Sequence, residues 1–242
     1  MQYTRKDLGS YNLHMIQTDK FKTITMRIVF HSPIKKEEIT MRNILSDLLL
    51  QSTSKYSSKR NMIIEAEELY AADVYNNTQR IGNYIMTSFM LQVLNDRYTE
   101  SGNLEKAIAF MGEILFHPDI KNKCFKDDKL SIVKKNCEVA LSSLKEDPVD
   151  YSMIRLKEAY DKENPISYRM LGYKDDLEKI DVSNLYQYYL NMIENNFVDI
   201  YVVGDFKADE LLMMIKKNFK FRKIKKKHVS FDIKINLVER EG

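Results

Sequence analysis

Three polar side chains in the segment RNILSDLLLQST, residues 42–53, have the spacing of a hydrolytic metal site. Asn43 and Asp47 are four residues apart and Ser46 stands beside them, so on a helix all three lie on one side. Many hydrolases keep metal ligands and a general base at this spacing, because side chains at i and i+4 can reach one ion. The other side of the predicted helix is an apolar seam of Ile44, Leu45, Leu48 and Leu49.

The residue types at these positions support little of that chemistry. Ser46 cannot serve as a general base at neutral pH without an activator of its own. Asn43 offers an amide oxygen, which is a poor zinc ligand beside an imidazole. Asp47 alone could bind a metal, so a weak divalent site at Asp47 is one interpretation. The simpler interpretation is that Asn43 and Asp47 are polar residues on a partly exposed helix face.

Histidines elsewhere in the chain do not offer a second site. No two of them have helical ligand spacing, and each is predicted to be a surface or strand residue rather than a ligand: His14, His31, His117 and His228. The sequence also lacks the glycine-rich fingerprints of nucleotide-binding folds.

Composition is that of a soluble globular protein with a sizeable core. The chain has 242 residues, of which 44% are hydrophobic and 30% charged. The net charge of +3 comes from well-mixed charges, which gives no case for nucleic-acid or membrane partners. No apolar run approaches the roughly 18 residues of a transmembrane helix. The opening MQYTRKDLGSYN has no apolar region of the secretory-signal kind, so a cytoplasmic protein is expected.

Hydrophobic periodicity predicts an α+β fold with a mostly antiparallel sheet packed against a layer of helices. The predicted strands are residues 11–20, 21–33, 72–82, 83–94 and 197–206. Helices are predicted over residues 37–51, 61–72, 103–116, 125–146, 148–163, 175–180, 183–195 and 208–219. Ser183 is the expected N-cap of its helix. Residues 1–219 form the predicted domain, and 220–242 are predicted to be a basic linker and the start of a following domain.

Several segments, in order, resemble the N-terminal half of the pitrilysin (insulinase, mitochondrial-processing-peptidase-like) zinc metallopeptidases. NILSDLLLQSTSKY lies where that family has His-x-x-Glu-His followed by a small apolar run. LYAADVYNNTQRIGNYIMTSFMLQVL is similar to the family's helix, strand, turn and strand. PISYRMLGYKDDLEKIDVSNLYQYYLNMIENNFVDIYVVGDF is similar to a later segment that ends in Val-Val-Gly-Asp. The likeness extends over nearly the whole chain and implies a metallopeptidase half-domain of the pitrilysin type.

The resemblance implies a degenerate site. Asn43 and Asp47 stand where the family has its two zinc-binding histidines, and Ser46 stands where it has the general-base glutamate. For the distal glutamate ligand, Glu138 is the nearest candidate, whereas anchoring on the Glu-Asp-Pro of residues 146–148 places Ala140 or its neighbour there. No catalytic residue and no bound cofactor are therefore expected, with Asp47 and Glu138 as weak metal candidates.

Members of this family work as paired halves, which implies the partners of this chain. The expected role is a non-catalytic half that encloses and positions a peptide or unfolded segment for an active, zinc-bearing partner. That partner is a homologue in a hetero-oligomer or a second half-domain in the same chain. The strand Asn83–Leu94 is the expected sheet edge for an extended substrate. Two alternatives stay open: a binding or assembly module in a protein-modification or peptide-maturation pathway, and a peptidase with an altered metal site.

Overall fold

The computed structural model describes residues 1–222, and its centre is a six-stranded sheet. Its strands are β1 (Gln2–Asp7), β2 (Asn12–Gln17), β3 (Thr23–Pro33), β4 (Asp73–Ile81), β5 (Tyr84–Leu94) and β8 (Phe197–Gly204). Their order across the sheet is β1-β2-β8-β3-β5-β4. Only β2 and β8 pair in parallel, and the other neighbours are antiparallel. A separate small hairpin is formed by β6 (Ile120–Lys121) and β7 (Cys124–Phe125).

The helices confirm the predicted α+β class. They are α1 (Ile39–Leu49), α2 (Lys59–Glu68), α3 (Asn103–Phe116), α4 (Asp127–Ser143), α5 (Pro148–Tyr160), α6 (Lys174–Glu178), α7 (Val182–Asn195) and α8 (Ala208–Asn218). None of the helices within residues 1–222 is long and apolar enough to cross a membrane. The predicted boundary after residue 219 stays a prediction, because residues 223–242, including His228, lie outside the described part of the chain.

The hydrophobic core lies between one face of the sheet and the helices. On β3 the alternation places Ile28 and Phe30 on this core face, and the ring of Phe30 meets that of Phe89 edge to face at 6.0 Å. The chain remains packed through Phe221, whose ring is 4.9 Å from that of Phe116. We call the other side of the sheet the open face; its central row is Arg5, His14, Tyr201, Arg27, Met90 and Tyr75.

The prediction that the strand Asn83–Leu94 lies at the sheet edge is wrong. β5 pairs with β3 along Thr23–Pro33 on one side and with β4 on the other, so the strand Asn83–Leu94 is interior. The edges of the sheet are β1 and β4. Alternation along β5 shows that it has two different faces, but it does not encode which strands lie beside it.

Two local details also differ from the predictions. β1 was not predicted, because its sequence QYTRKD is polar and its residues are mostly exposed at a sheet edge. Ser183 is not the N-cap of α7. Asp181 is, with Oδ1 accepting the backbone N–H groups of Ser183 and Asn184 at 2.8 Å each. The side chain of Asn184 accepts from the N–H of Asp181 in return, which completes a capping box.

The loop before α6 lies across the start of α1, and Gly172 allows that approach. Gly172 has φ +101°, and a Cβ added there would lie 2.5 Å from Thr40 Oγ1 and 2.9 Å from the Thr40 backbone. The Thr40 hydroxyl accepts a hydrogen bond from the backbone N–H of Tyr173 at 2.9 Å. This glycine is therefore required both for its backbone conformation and for its lack of a side chain.

We expect Gly172→Ala to lower the free energy of unfolding by about 1 to 3 kcal/mol more than Gly102→Ala does. Gly102 is the matched control, because its φ of +92° carries a similar backbone strain but its added Cβ would meet nothing within 4 Å. Urea unfolding of both variants measures the difference. Equal losses of stability would show that the contact with Thr40 imposes no constraint.

Candidate functional site

The polar side of α1 is held in place by hydrogen bonds within this chain. The side-chain amide of Asn43 donates to the carbonyl of Met170, in the loop that crosses α1. The buried hydroxyl of Ser46 donates to the Asn43 carbonyl at 3.0 Å, which is local back-bonding along the helix. Both side chains thus have structural hydrogen bonds.

Asp47 joins α1 to the edge strand β4. Its Oδ1 accepts a hydrogen bond from Asn76 Nδ2 at 2.8 Å, and part of the residue is exposed to solvent. Partial burial raises the pKa of Asp47, and the Asn76 hydrogen bond and the charge of Lys59 offset this only in part. Burial, with a smaller contribution from Asp47, also raises the pKa of Cys137 on α4. The helix that carries Asp47 also packs against α4.

Glu138 does not join Asp47. Glu138 Oε1 forms an exposed ion pair with Lys174 Nζ at 3.0 Å, and Ala140 is exposed further along α4. Within residues 1–222 no group of three His, Cys, Asp or Glu residues is arranged to hold a metal ion. The donors on α1 do not fit a zinc ion either, because they are an amide engaged with Met170 and a carboxylate engaged with Asn76, without an imidazole.

A buried arginine adjoins these positions on α1. Arg42 is 1% exposed, and its guanidinium donates to Tyr188 Oη on α7 at 3.0 Å and to Oδ1 of Asn196, the C-cap of α7, at 2.8 Å. It also donates to Ser32 Oγ on β3 at 3.0 Å. No ion pair to a carboxylate is found for Arg42 among the described residues. The sequence contained a signal for this role, since Arg42 precedes Leu45 by three residues and so lies on the apolar seam.

A second polar cluster, which the sequence did not predict, lies on the open face. His14 Nε2 is 3.1 Å from Asp199 Oδ1, and His31 Nε2 is 3.0 Å from Asp199 Oδ2. Asn12 Nδ2 also donates to Asp199, at 2.9 Å. The hydroxyl of Tyr3 lies 2.8 Å from His14 Nδ1, so the network assigns the proton of a neutral His14 to Nε2. The two histidines are strand residues, as expected, but β8 brings a carboxylate between them.

The surroundings of Asp199 favour its charged form. Burial alone would raise its pKa, but the contacts of His31, Asn12 and His14 outweigh burial and lower the pKa below the ordinary value. A carboxylate with a lowered pKa stabilises the fold fully above its unfolded-state pKa of about 3.9, and the contribution is lost as pH falls through the folded-state value.

We expect Asp199→Asn to lower the free energy of unfolding at pH 7 by about 1 to 2 kcal/mol, since the charge-assisted contacts of Asp199 are lost. The difference from the unsubstituted chain should shrink as the pH falls below about 4. Denaturant unfolding between pH 3 and pH 7 measures it. Asp19→Asn, at an exposed position in the β2–β3 turn, is the control and should change stability little. A pH-independent difference would contradict the assigned role.

Comparison with known proteins finds a sequence relative and several solved structures that are similar to this chain. No protein-family model matches the chain. A probable inactive metalloprotease of Bacillus subtilis (strain 168), YmfF, is 27% identical over 214 residues, which cover 88% of this chain and 50% of that protein. A conserved protein from Enterococcus faecalis V583 has a solved structure that matches with a TM-score of 0.86 at 27% identity, over 91% of this chain and 53% of that one.

A third likeness is to the peptidase M16 inactive domain from Pseudomonas fluorescens. The TM-score is 0.73 at 14% identity, over 90% of this chain and 50% of that chain, and it shows the shared fold. The chain thus spans about half the length of the relatives that it matches. The predicted resemblance and fold class are confirmed: this chain is similar to a protein described as a probable inactive metalloprotease and shares the fold of a peptidase M16 inactive domain.

Proposed function

We propose that this chain is a non-catalytic peptidase half that helps to enclose and position an extended peptide for an active, zinc-bearing partner. The observation that carries the proposal is the polar side of α1, where an amide, a hydroxyl and a hydrogen-bonded carboxylate occupy the positions of the expected zinc ligands and base. These groups support packing of α1 against its neighbours and supply no activated water.

The edge strand β4 is the proposed binding site for the peptide. β4 pairs only with β5 within the described sheet, so its other side can accept an added strand. The contact of Asp47 with Asn76 places this edge directly beside α1. A crevice of about 180 Å³ lies next to β4, and most of its lining is apolar, including Met62, Val74 and Phe110. A strand added to β4 could place an alternate side chain in this crevice.

The partner is proposed from the lengths of the relatives. The chain covers 50% of the inactive metalloprotease that it matches and 53% of the solved structure with the same identity. A second half-domain, in the same chain or in a separate subunit, would complete the enclosure. Zinc is proposed only in that partner, and the cytoplasmic location remains a prediction.

Purified chain should contain far less than one zinc ion per molecule, because α1 offers no imidazole ligand. Elemental analysis by mass spectrometry, with Asp47→Ala as the matched variant, measures this. Stoichiometric zinc that is lost in the variant, together with peptide cleavage that a chelator abolishes, would instead indicate a peptidase with an altered metal site.

Native mass spectrometry of the complex purified from its source should show this chain joined to a second pitrilysin-like half that carries an intact His-x-x-Glu-His. The measured mass also reports whether the two halves belong to one polypeptide. A stable complex with no such half would contradict the proposal and favour the assembly-module alternative.

A further inference from the structure

The open face of the sheet carries a row of basic and aromatic side chains. Arg5 is paired in register with His14, His14 with Tyr201, and Tyr201 with Arg27. These four residues come from β1, β2, β8 and β3, which are adjacent strands. Since neighbouring strands are about 4.8 Å apart, the two arginine Cα atoms are separated by about 14 Å. Arg5 and Arg27 therefore lie on the same face of the sheet, at the two ends of a row that contains His14 and Tyr201.

Hydrogen-bond donors exceed acceptors in this row. The Nε of Arg27 is buried and has no hydrogen-bond partner among the described residues. Among residues 1–222, the guanidinium of Arg27 donates only to Ser88 Oγ, at 3.4 Å. No ion pair joins Arg5 or Arg27 to a carboxylate within residues 1–222. Arg27 as a whole is half-buried, so the remaining N–H groups of its guanidinium can donate to an incoming acceptor.

The carboxylate of Asp199, which contacts His14 in this row, is already engaged. Asp199 accepts from Asn12 and contacts both His14 and His31. The Tyr201 hydroxyl has no hydrogen-bond partner in the described part of the chain, while its ring stacks on His14 with centroids 4.4 Å apart. Burial is the main cause of the raised pKa of Tyr201, and the charges of Arg27 and Arg5 act in the opposite direction.

We propose that Arg27, Tyr201 and Arg5 form a binding site on the open face for a carboxylate of an extended peptide. The planar guanidinium of Arg27 can donate two parallel hydrogen bonds to one carboxylate, and the Tyr201 hydroxyl supplies a third donor. Arg5 adds positive charge from the exposed edge. This site rests on the proposed function and gives it a substrate class, namely peptides with an acidic side chain.

A carboxylate fits the cluster because its two coplanar oxygens match the parallel N–H groups of one guanidinium. Inorganic phosphate can also accept paired hydrogen bonds, so the experiment includes it. This site is separate from the edge of β4, because β3 with Arg27 lies two strands from that edge and β8 with Tyr201 lies three. Binding of the carboxylate requires no backbone pairing at β4.

The test compares two blocked pentapeptides, acetyl-Thr-Val-Glu-Val-Thr-amide and its Gln analogue, with the full 242-residue chain. We expect the Glu peptide to bind at least about tenfold more tightly at low salt, measured by NMR titration of the Arg27 Nε–H and Tyr201 ring signals. Inorganic phosphate is titrated in parallel. Equal affinity for the two peptides, or binding of phosphate without discrimination between the peptides, overturns the proposal.

Variants locate the site. Arg27→Met should abolish the discrimination between the two peptides, and Arg27→Lys should reduce it, since lysine keeps the charge but not the paired donors. Arg5→Met should weaken it partly. Arg97→Met is the matched control and should leave the discrimination unchanged. Arg97 lies outside the row on the open face, and its guanidinium is paired with Asp205, with 2.7 Å between Nη1 and Oδ2. Discrimination that survives in a folded Arg27→Met chain contradicts the assignment.

The result is separable from the test of the proposed function. Peptide discrimination requires neither zinc nor a partner, so it can hold even where the native complex contains no second half. In the opposite case, a native complex with an active half and no discrimination would retain the proposed function and remove the acidic-peptide site.

Discussion

The buried guanidinium of Arg42 is the interaction on which the position of α1 depends. It replaces the water lost on burial by donating to side chains from β3 and α7, so helix, sheet and second helix are joined at one point. A buried cation without a carboxylate partner is stable only when its donors are satisfied, which restricts how α1 can lie on the sheet. The polar positions of Asn43, Ser46 and Asp47 follow from that placement.

The two faces of the sheet have separate roles. The core face receives the apolar sides of the helices, and this packing retains the half-domain fold. The open face keeps charged and aromatic side chains in cross-strand register, and the Asp199 cluster is part of it. Neither surface uses the side chains of Asn43 or Ser46.

Local sequence patterns were sufficient to predict most of the helices and strands. The helix at Asn103–Phe116 agrees to the residue, since its apolar periodicity is strong and it stops before His117-Pro118. The sequence also gives the side-chain chemistry of Asn43, Ser46 and Asp47 directly: an amide, a hydroxyl and a carboxylate. The capping of α7 was misassigned because Asp181 and Ser183 are both good N-cap residues, and local sequence does not decide between them.

The sequence by itself determined the α+β class, the apolar seam of α1 and the absence of imidazole ligands on that helix. Only the tertiary structure decided which strands are edges, that Asp47 bonds to Asn76, and that Asp199 lies between His14 and His31. The physical reason is that periodicity and residue type act over a few residues. Strand order and long-range side-chain contacts depend instead on pairing between distant segments. Asn12 and Asp199, for example, are paired in the sheet although they are 187 residues apart in the sequence.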